Sequence, residues 1–167
     1  MTAAPGDIGF VHNTDWLDRV IQKMQERKYP PPAPESKKNH VFMVAGTDGS
    51  IIEAQSKGVV MNNLSAYNNV EYELWRPNYT PGNDMVAVHA MEELLGLKYG
   101  DGIIVCEALM FMTNTRWKFG RSGTEICSGA VAYALTRANI DCGPEETYDS
   151  PADLYHKLIE QKWVRTG

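Results

Sequence analysis

Asn39-His-Val-Phe-Met-Val-Ala-Gly-Thr-Asp-Gly-Ser-Ile-Ile-Glu-Ala-Gln55 reads as two short strands joined by a turn. Apolar runs flank Asp48-Gly49, a dipeptide that supplies the backbone conformations a tight hairpin needs, so the stretch predicts an antiparallel pair. Working outward, Gly6-Asp-Ile-Gly-Phe-Val11 reads as an earlier strand, and Gly58–Met61 and Val70–Trp75 as two later ones. Thr14 is placed to cap a helix in which Leu17, Val20, Ile21 and Met24 recur at i, i+3, i+4 and i+7. Between that helix and His40, Lys28-Tyr-Pro-Pro-Pro-Ala-Pro-Glu-Ser-Lys-Lys38 is too proline-rich for regular structure and predicts an exposed, partly extended loop.

The second half reads as helical. Asn83 or Asp84 is expected to cap a helix ending at Gly96, and the apolar segment Ile103–Phe111 is read as helix. Thr124-Glu-Ile-Cys-Ser-Gly-Ala-Val-Ala-Tyr-Ala-Leu135 is another, with Ala130, Val131, Ala134, Leu135 and Ala138 on one face and small side chains suited to close packing on a sheet. Ser150-Pro-Ala-Asp153 matches a capping-box start with proline in the first turn, followed by a stripe of Leu154, Leu158 and Ile159. The expected plan is α+β, a central antiparallel sheet with helices against it.

The chain has 167 residues, 43% of them apolar, enough for one domain over 1–167 with a real core. A formal charge of −5 lacks the basic footprint of a nucleic-acid binder. No apolar stretch approaches the ~20 residues that span a bilayer, and no basic-then-apolar leader opens the chain, so a cytoplasmic protein is expected. The three cysteines, Cys106, Cys127 and Cys142, show no C-x-x-C spacing. Neither a disulfide framework nor a structural zinc site is predicted, and no metal or cofactor is expected.

Cys127 and His40 carry the chemical interest. A thiol is a strong nucleophile at neutral pH only when its thiolate is stabilised, and both a helix N-terminus and an adjacent imidazole do this. The two lie 127−40 = 87 positions apart with the histidine first, so only the fold can join them. Cys106 and Cys142 are read as structural, since cysteine is among the most buried residue types. His12, His89 and His156 have no comparable partner in the sequence. Lys118 and Arg121 are read as solvated charges, with an anionic substrate group or a lowered thiol pKa as the alternative, and Trp117 and Phe119 equally as core packing or cleft lining.

Gly6-Asp-Ile, His40-Val-Phe-Met-Val and Cys127-Ser-Gly resemble the glycine-aspartate, histidine-strand and cysteine-helix segments of NlpC-type papain-like hydrolases. In ordinary members the cysteine comes first. Here it comes last, as in the circularly permuted branch that includes the YiiX-like proteins and the lecithin:retinol-acyltransferase-like enzymes. Ile51-Ile-Glu-Ala54, Val59–Tyr67 and Trp16-Leu17 are supporting matches. The resemblance implies a papain-like fold with the cysteine at a helix N-terminus facing a histidine on the sheet. It also implies a thiol hydrolase of peptidase or amidase type that works through an acyl-enzyme on Cys127 with His40 as base. A cell-wall or other peptide, a lipid-linked acyl group and a small amide or ester are all admissible substrates. Two alternatives stay open, a non-catalytic binding module on the same fold and a related acyltransferase.

With Thr124 or Ser122 as cap, Cys127 lies about one turn into its helix, where the macrodipole favours a thiolate and free amides suit an oxyanion. The family's polar third position falls on Glu53, 53−40 = 13 residues after the histidine. A two-residue Asp48-Gly49 turn, however, sets Glu53 opposite Val44, four residues from His40. At ~3.3 Å per residue that is about 13 Å, beyond contact. A wider loop, a bulge or strong twist has to bring Glu53 closer, or Gln55 takes its place.

Overall fold

The computed structural model describes residues 3–12, 26, 28–55, 58–97, 125–141 and 150–167. Six strands form one antiparallel sheet: β1 (Ile8–His12), β2 (His40–Val44), β3 (Ser50–Gln55), β4 (Gly58–Asn63), β5 (Glu71–Arg76) and β6 (Val164–Arg165), in the order β4-β3-β2-β1-β5-β6. The hairpins β2-β3 and β3-β4 make a meander on one side of β1, while β5 pairs on the other. The fold is α+β, as expected. β6 was not expected: its two residues, paired with Trp75 and Arg76, are too few to show any periodicity.

Both faces of the sheet's centre are buried, which explains why β1 and β2 read as continuous apolar runs instead of alternating ones. Ile8, Phe10, Val41, Met43, Ile52 and Ala54 face the helices in the main core. Val11, Phe42, Val44, Ile51 and Leu74 face a smaller core closed by Tyr67, which ends a 3-10 turn at Leu64–Tyr67. Phe42 lies flat over Gly9, directly opposite it across the β1–β2 ladder. A β-carbon at Gly9 would come within 2.0 Å of that ring, so only glycine fits beneath it.

Among the described residues there are three α-helices: α1 (Asn83–Glu92), α2 (Glu125–Arg137) and α3 (Pro151–Glu160). Neither Asn83 nor Asp84 caps α1. Gly82, with φ +88°, turns the chain into the helix, and the Asn83 side chain instead donates to the Ala138 carbonyl at 2.9 Å, tying α1 to the end of α2. The helix stops at Glu92, and a turn carries the chain to Gly96, whose φ of +84° suits glycine. α2 is buried along Cys127–Leu135 and not on a single face, because it is wedged between α1, α3 and the sheet. Its alanines permit that approach from several sides.

α3 begins as expected: Ser150 accepts from the Asp153 amide, and Pro151 occupies the first turn. Leu154 and Leu158 are fully buried, but Ile159 is 45% exposed, since the last turn emerges from the core. The proline-rich loop is strapped to this helix. Lys28 and Tyr29 both reach Asp153, at 2.7 and 2.8 Å, and Glu35 meets His156 at 3.2 Å. Two details differ from the exposed loop expected for 28–38. Pro34–Lys37 closes a 3-10 turn, and Lys38 is buried against Glu73 at 2.8 Å.

The Gly6-Asp7 pair has a structural role. Gly6 takes φ +84°, and the fully buried Asp7 carboxylate meets Arg76 at 2.7 Å and accepts from the Ala4 amide and the Thr166 hydroxyl. It thereby ties the start of the sheet to β5 and to the C-terminal segment. The helices read over 14–24 and 103–111, the caps Ser122 and Thr124, Cys106, Cys142 and residues 117–121 lie outside the described residues. Among the described residues no helix is long and apolar enough to cross a membrane.

Gly9→Ala forces the Phe42 ring out of its seat, and the expected cost is about 1–3 kcal/mol of folding stability, as for other overpacked cores. Chemical denaturation checks this. An unchanged midpoint would show that the ring moves freely and that the close approach is not needed.

Candidate active site

Register decides where the acidic residue falls. The β2–β3 connection is a five-residue loop, Ala45–Gly49, in which the Ala45 and Gly46 amides both donate to the Ser50 carbonyl. Asp48 folds back to accept from the Ser50 amide at 3.0 Å and from its hydroxyl, and Gly49 supplies φ +84°. The wider loop shifts the pairing by two residues from a two-residue turn, so that Phe42, not Val44, stands opposite Glu53. Glu53 thus becomes a diagonal neighbour of His40 on the same face, a separation of ~7–8 Å between backbones that long side chains bridge. His40 Nε2 lies 2.7 Å from Glu53 Oε2.

Cys127 comes from the other layer. It lies near the described start of α2 and belongs to the core on the helix face of the sheet. His40 is the first residue of β2 and so stands at the end of the sheet, where its ring also hydrogen-bonds Cys127. With Nε2 taken by Glu53, Nδ1 is the nitrogen left for sulfur. All three expected residues therefore meet. Cys127 is 4% exposed and Glu53 fully buried, with His40 between them at a side-chain exposure of 16%.

Gln55 does not replace Glu53; it supports it. Gln55 Nε2 and Asn62 Nδ2 each donate to Glu53 Oε1 at 2.8 Å, while the Tyr67 hydroxyl donates to Oε2 alongside His40. The sequence reading gave Asn62 and Tyr67 no role, although Tyr67 closes one of the segments that matched. The available signal was polar residues interrupting the apolar start of β4, with an aromatic a turn later. It points to a partner only when Glu53 is known to face that way.

Burial disfavours both charges, yet each group is held in its charged form. For His40 the hydrogen bonds to Cys127 and Glu53, then the charges of the same two groups, outweigh desolvation and raise it from 6.5 to about 10. For Glu53 the hydrogen bond and charge of His40, followed by Tyr67 and Asn62, outweigh desolvation and lower it from 4.5 to about 2. The result is a buried carboxylate–imidazolium pair with the thiol against its free side.

The other described histidines serve surface contacts. His12 lies 3.6 Å from Glu71, His89 is exposed between Glu92 and Glu93, and His156 reaches Glu35 and Glu160. A second buried ion pair stands two residues before His40. Lys38 meets Glu73, which also accepts from Trp75 Nε1 and the Tyr155 hydroxyl, anchoring the entry to β2 onto β5 and α3. Among the described residues no group of three or more His, Cys, Asp or Glu side chains is arranged to hold a metal ion.

Linkage gives a pH signature. Glu53, lowered from 4.5 to about 2, contributes fully above pH 4.5 and loses that contribution as pH falls through 2. His40, raised from 6.5 to about 10, contributes fully below pH 6.5 and loses its contribution as pH rises through 10. The stability gap between the native chain and Glu53→Gln is therefore expected to be widest between pH 4.5 and 6.5 and to narrow on both sides. Denaturation midpoints across that range measure it, and a gap independent of pH would contradict the ion pair.

No protein-family model matches the chain, and no curated protein matches it at a significant level, so what the site does rests on its geometry and chemistry.

Proposed function

We propose that this chain is a thiol hydrolase that cleaves an amide or ester bond through an acyl-enzyme on Cys127, on a permuted papain-like scaffold. The observation that carries the reading is one imidazole hydrogen-bonded both to a buried carboxylate and to a thiol. Ion pairing with the imidazolium stabilises the thiolate, which attacks the substrate carbonyl carbon. The carbonyl π electrons move onto oxygen, and the Cys127 backbone N–H, near the described start of α2, is our candidate donor for that oxyanion.

As the carbon–nitrogen or carbon–oxygen bond breaks, the His40 imidazolium gives its proton to the departing group, leaving a thioester on Cys127. His40, now neutral, takes a proton from water, whose oxygen attacks the thioester. The acid departs, the sulfur leaves as thiolate, and the imidazolium is restored. Glu53 keeps its charge throughout, holding the ring in place and stabilising its protonated form. An acyltransferase would differ only in the acceptor that takes the place of water. A peptide, a lipid-linked acyl group and a small amide or ester all contain the bond this chemistry cleaves.

Brief treatment with iodoacetamide near pH 6, followed by mass spectrometry, is expected to modify Cys127 at least about tenfold faster than Cys106 or Cys142. Hydrolysis of a panel of fluorogenic amides and esters should vanish in Cys127→Ala and fall about 10²–10⁴-fold in His40→Ala. Glu53→Ala should slow turnover more than Gln55→Ala does. Equal, slow alkylation of all three thiols would remove the case for catalysis and leave a binding module on the same scaffold.

A further inference from the structure

Glu53 has no exposed surface, and no lysine or arginine contacts its carboxylate among the described hydrogen bonds and ion pairs. Its charge is held by neutral donors from three elements: Gln55 on its own strand, Asn62 on β4, and Tyr67 at the end of the 3-10 turn. His40 on β2 is the cationic partner, with Cys127 of α2 beyond it. Gln55 and Asn62 share Oε1. Among the described residues Tyr67 joins His40 on Oε2, the oxygen that sets the direction of the imidazole.

Tyr67 is itself held firmly. Its ring stacks on Phe42 with centroids 5.2 Å apart and an interplanar angle of 18°, meets Tyr72 edge-on at 6.2 Å, and lies 6.4 Å from the His40 ring. Phe42 is in turn seated on Gly9. The hydroxyl is thus delivered to the Glu53 carboxylate by a packed column of rings.

We propose that Tyr67 is a positioning residue of the Cys127–His40–Glu53 site, acting through Glu53 by fixing the oxygen that orients His40 and by keeping that carboxylate ionised. Its partner in this role is Asn62 on the other oxygen. The inference rests on reading those three residues as the catalytic set, but its first test does not require turnover.

The test follows the His40 Nε2–H proton by NMR in the intact chain while pH is lowered. That proton is bonded to Glu53, so its resonance steps when Glu53 takes up a proton. In Tyr67→Phe, which keeps the ring and loses only the hydroxyl, the step is expected about one pH unit higher than in the native chain. A fluorinated tyrosine placed at 67, a stronger donor of the same shape, is expected to move it lower, and this variant serves should Tyr67→Phe fail to fold. Asn62→Leu should move it in the same direction as Tyr67→Phe.

If the step stays at the native pH in Tyr67→Phe or under fluorination while only the melting temperature changes, Tyr67 is a packing residue and the proposal fails. A chain that hydrolyses nothing, yet shows the shifted step, keeps the positioning role and overturns the hydrolase reading alone.

Discussion

A carboxylate removed from water keeps its charge only if every lone pair finds a donor. At Glu53 those donors are a glutamine, an asparagine, a tyrosine and an imidazole drawn from β3, β4, a 3-10 turn and β2. Much of the surrounding structure serves this arrangement. The β2–β3–β4 meander places Asn62 and Gln55 on one oxygen, and the turn after β4 brings Tyr67 to the other. Because desolvation penalises any member left unpaired, the network stands as a unit. Its consequence for chemistry is orientation: with Nε2 committed to the carboxylate, the remaining ring nitrogen is available to sulfur.

Bringing sulfur to that nitrogen is the task of the helix layer. α2 can lie against both the sheet and α1 because alanine recurs along it, and its position is fixed further by the Asn83 side chain on the Ala138 carbonyl. Cys127 lies near the described start of that helix, in the core it forms against the sheet. His40 is able to serve both layers because it begins its strand. A histidine two residues later, at Phe42, would point into the smaller core beneath Tyr67. Two further ion pairs with buried members, Lys38 with Glu73 and Asp7 with Arg76, stand where the chain enters β2 and β1. They stiffen the points at which the chain enters the sheet.

Much of the framework was legible in the residues. Among the described residues five of the six strands could be read from the chain, most as apolar runs and β5 as an alternating one, because strand burial is a local pattern. The Ser150 cap and the small-residue helix around Cys127 followed from equally local chemistry. Errors arose where a side chain had a tertiary use. Asn83 spends its amide on α2 and not on capping its own helix. Lys38 looked like loop and is buried, since Glu73 arrives from a strand 35 residues away.

The site divides along the same line. The identities of its members, His40 opening a strand and Cys127 opening a helix, could be proposed from the sequence, because nucleophile chemistry restricts which residue types serve. Sequence also offered Glu53 and Gln55, yet could not choose between them. That choice depended on the length of one loop: five residues in place of two move Glu53 from beyond reach to 2.7 Å from the imidazole. Strand periodicity specifies which face a residue occupies but not how far along the ladder it pairs. Tyr67 and Asn62 became recognisable as partners only in the tertiary structure, since the polar break in β4 and the aromatic after it carry no meaning until Glu53 is known to face them.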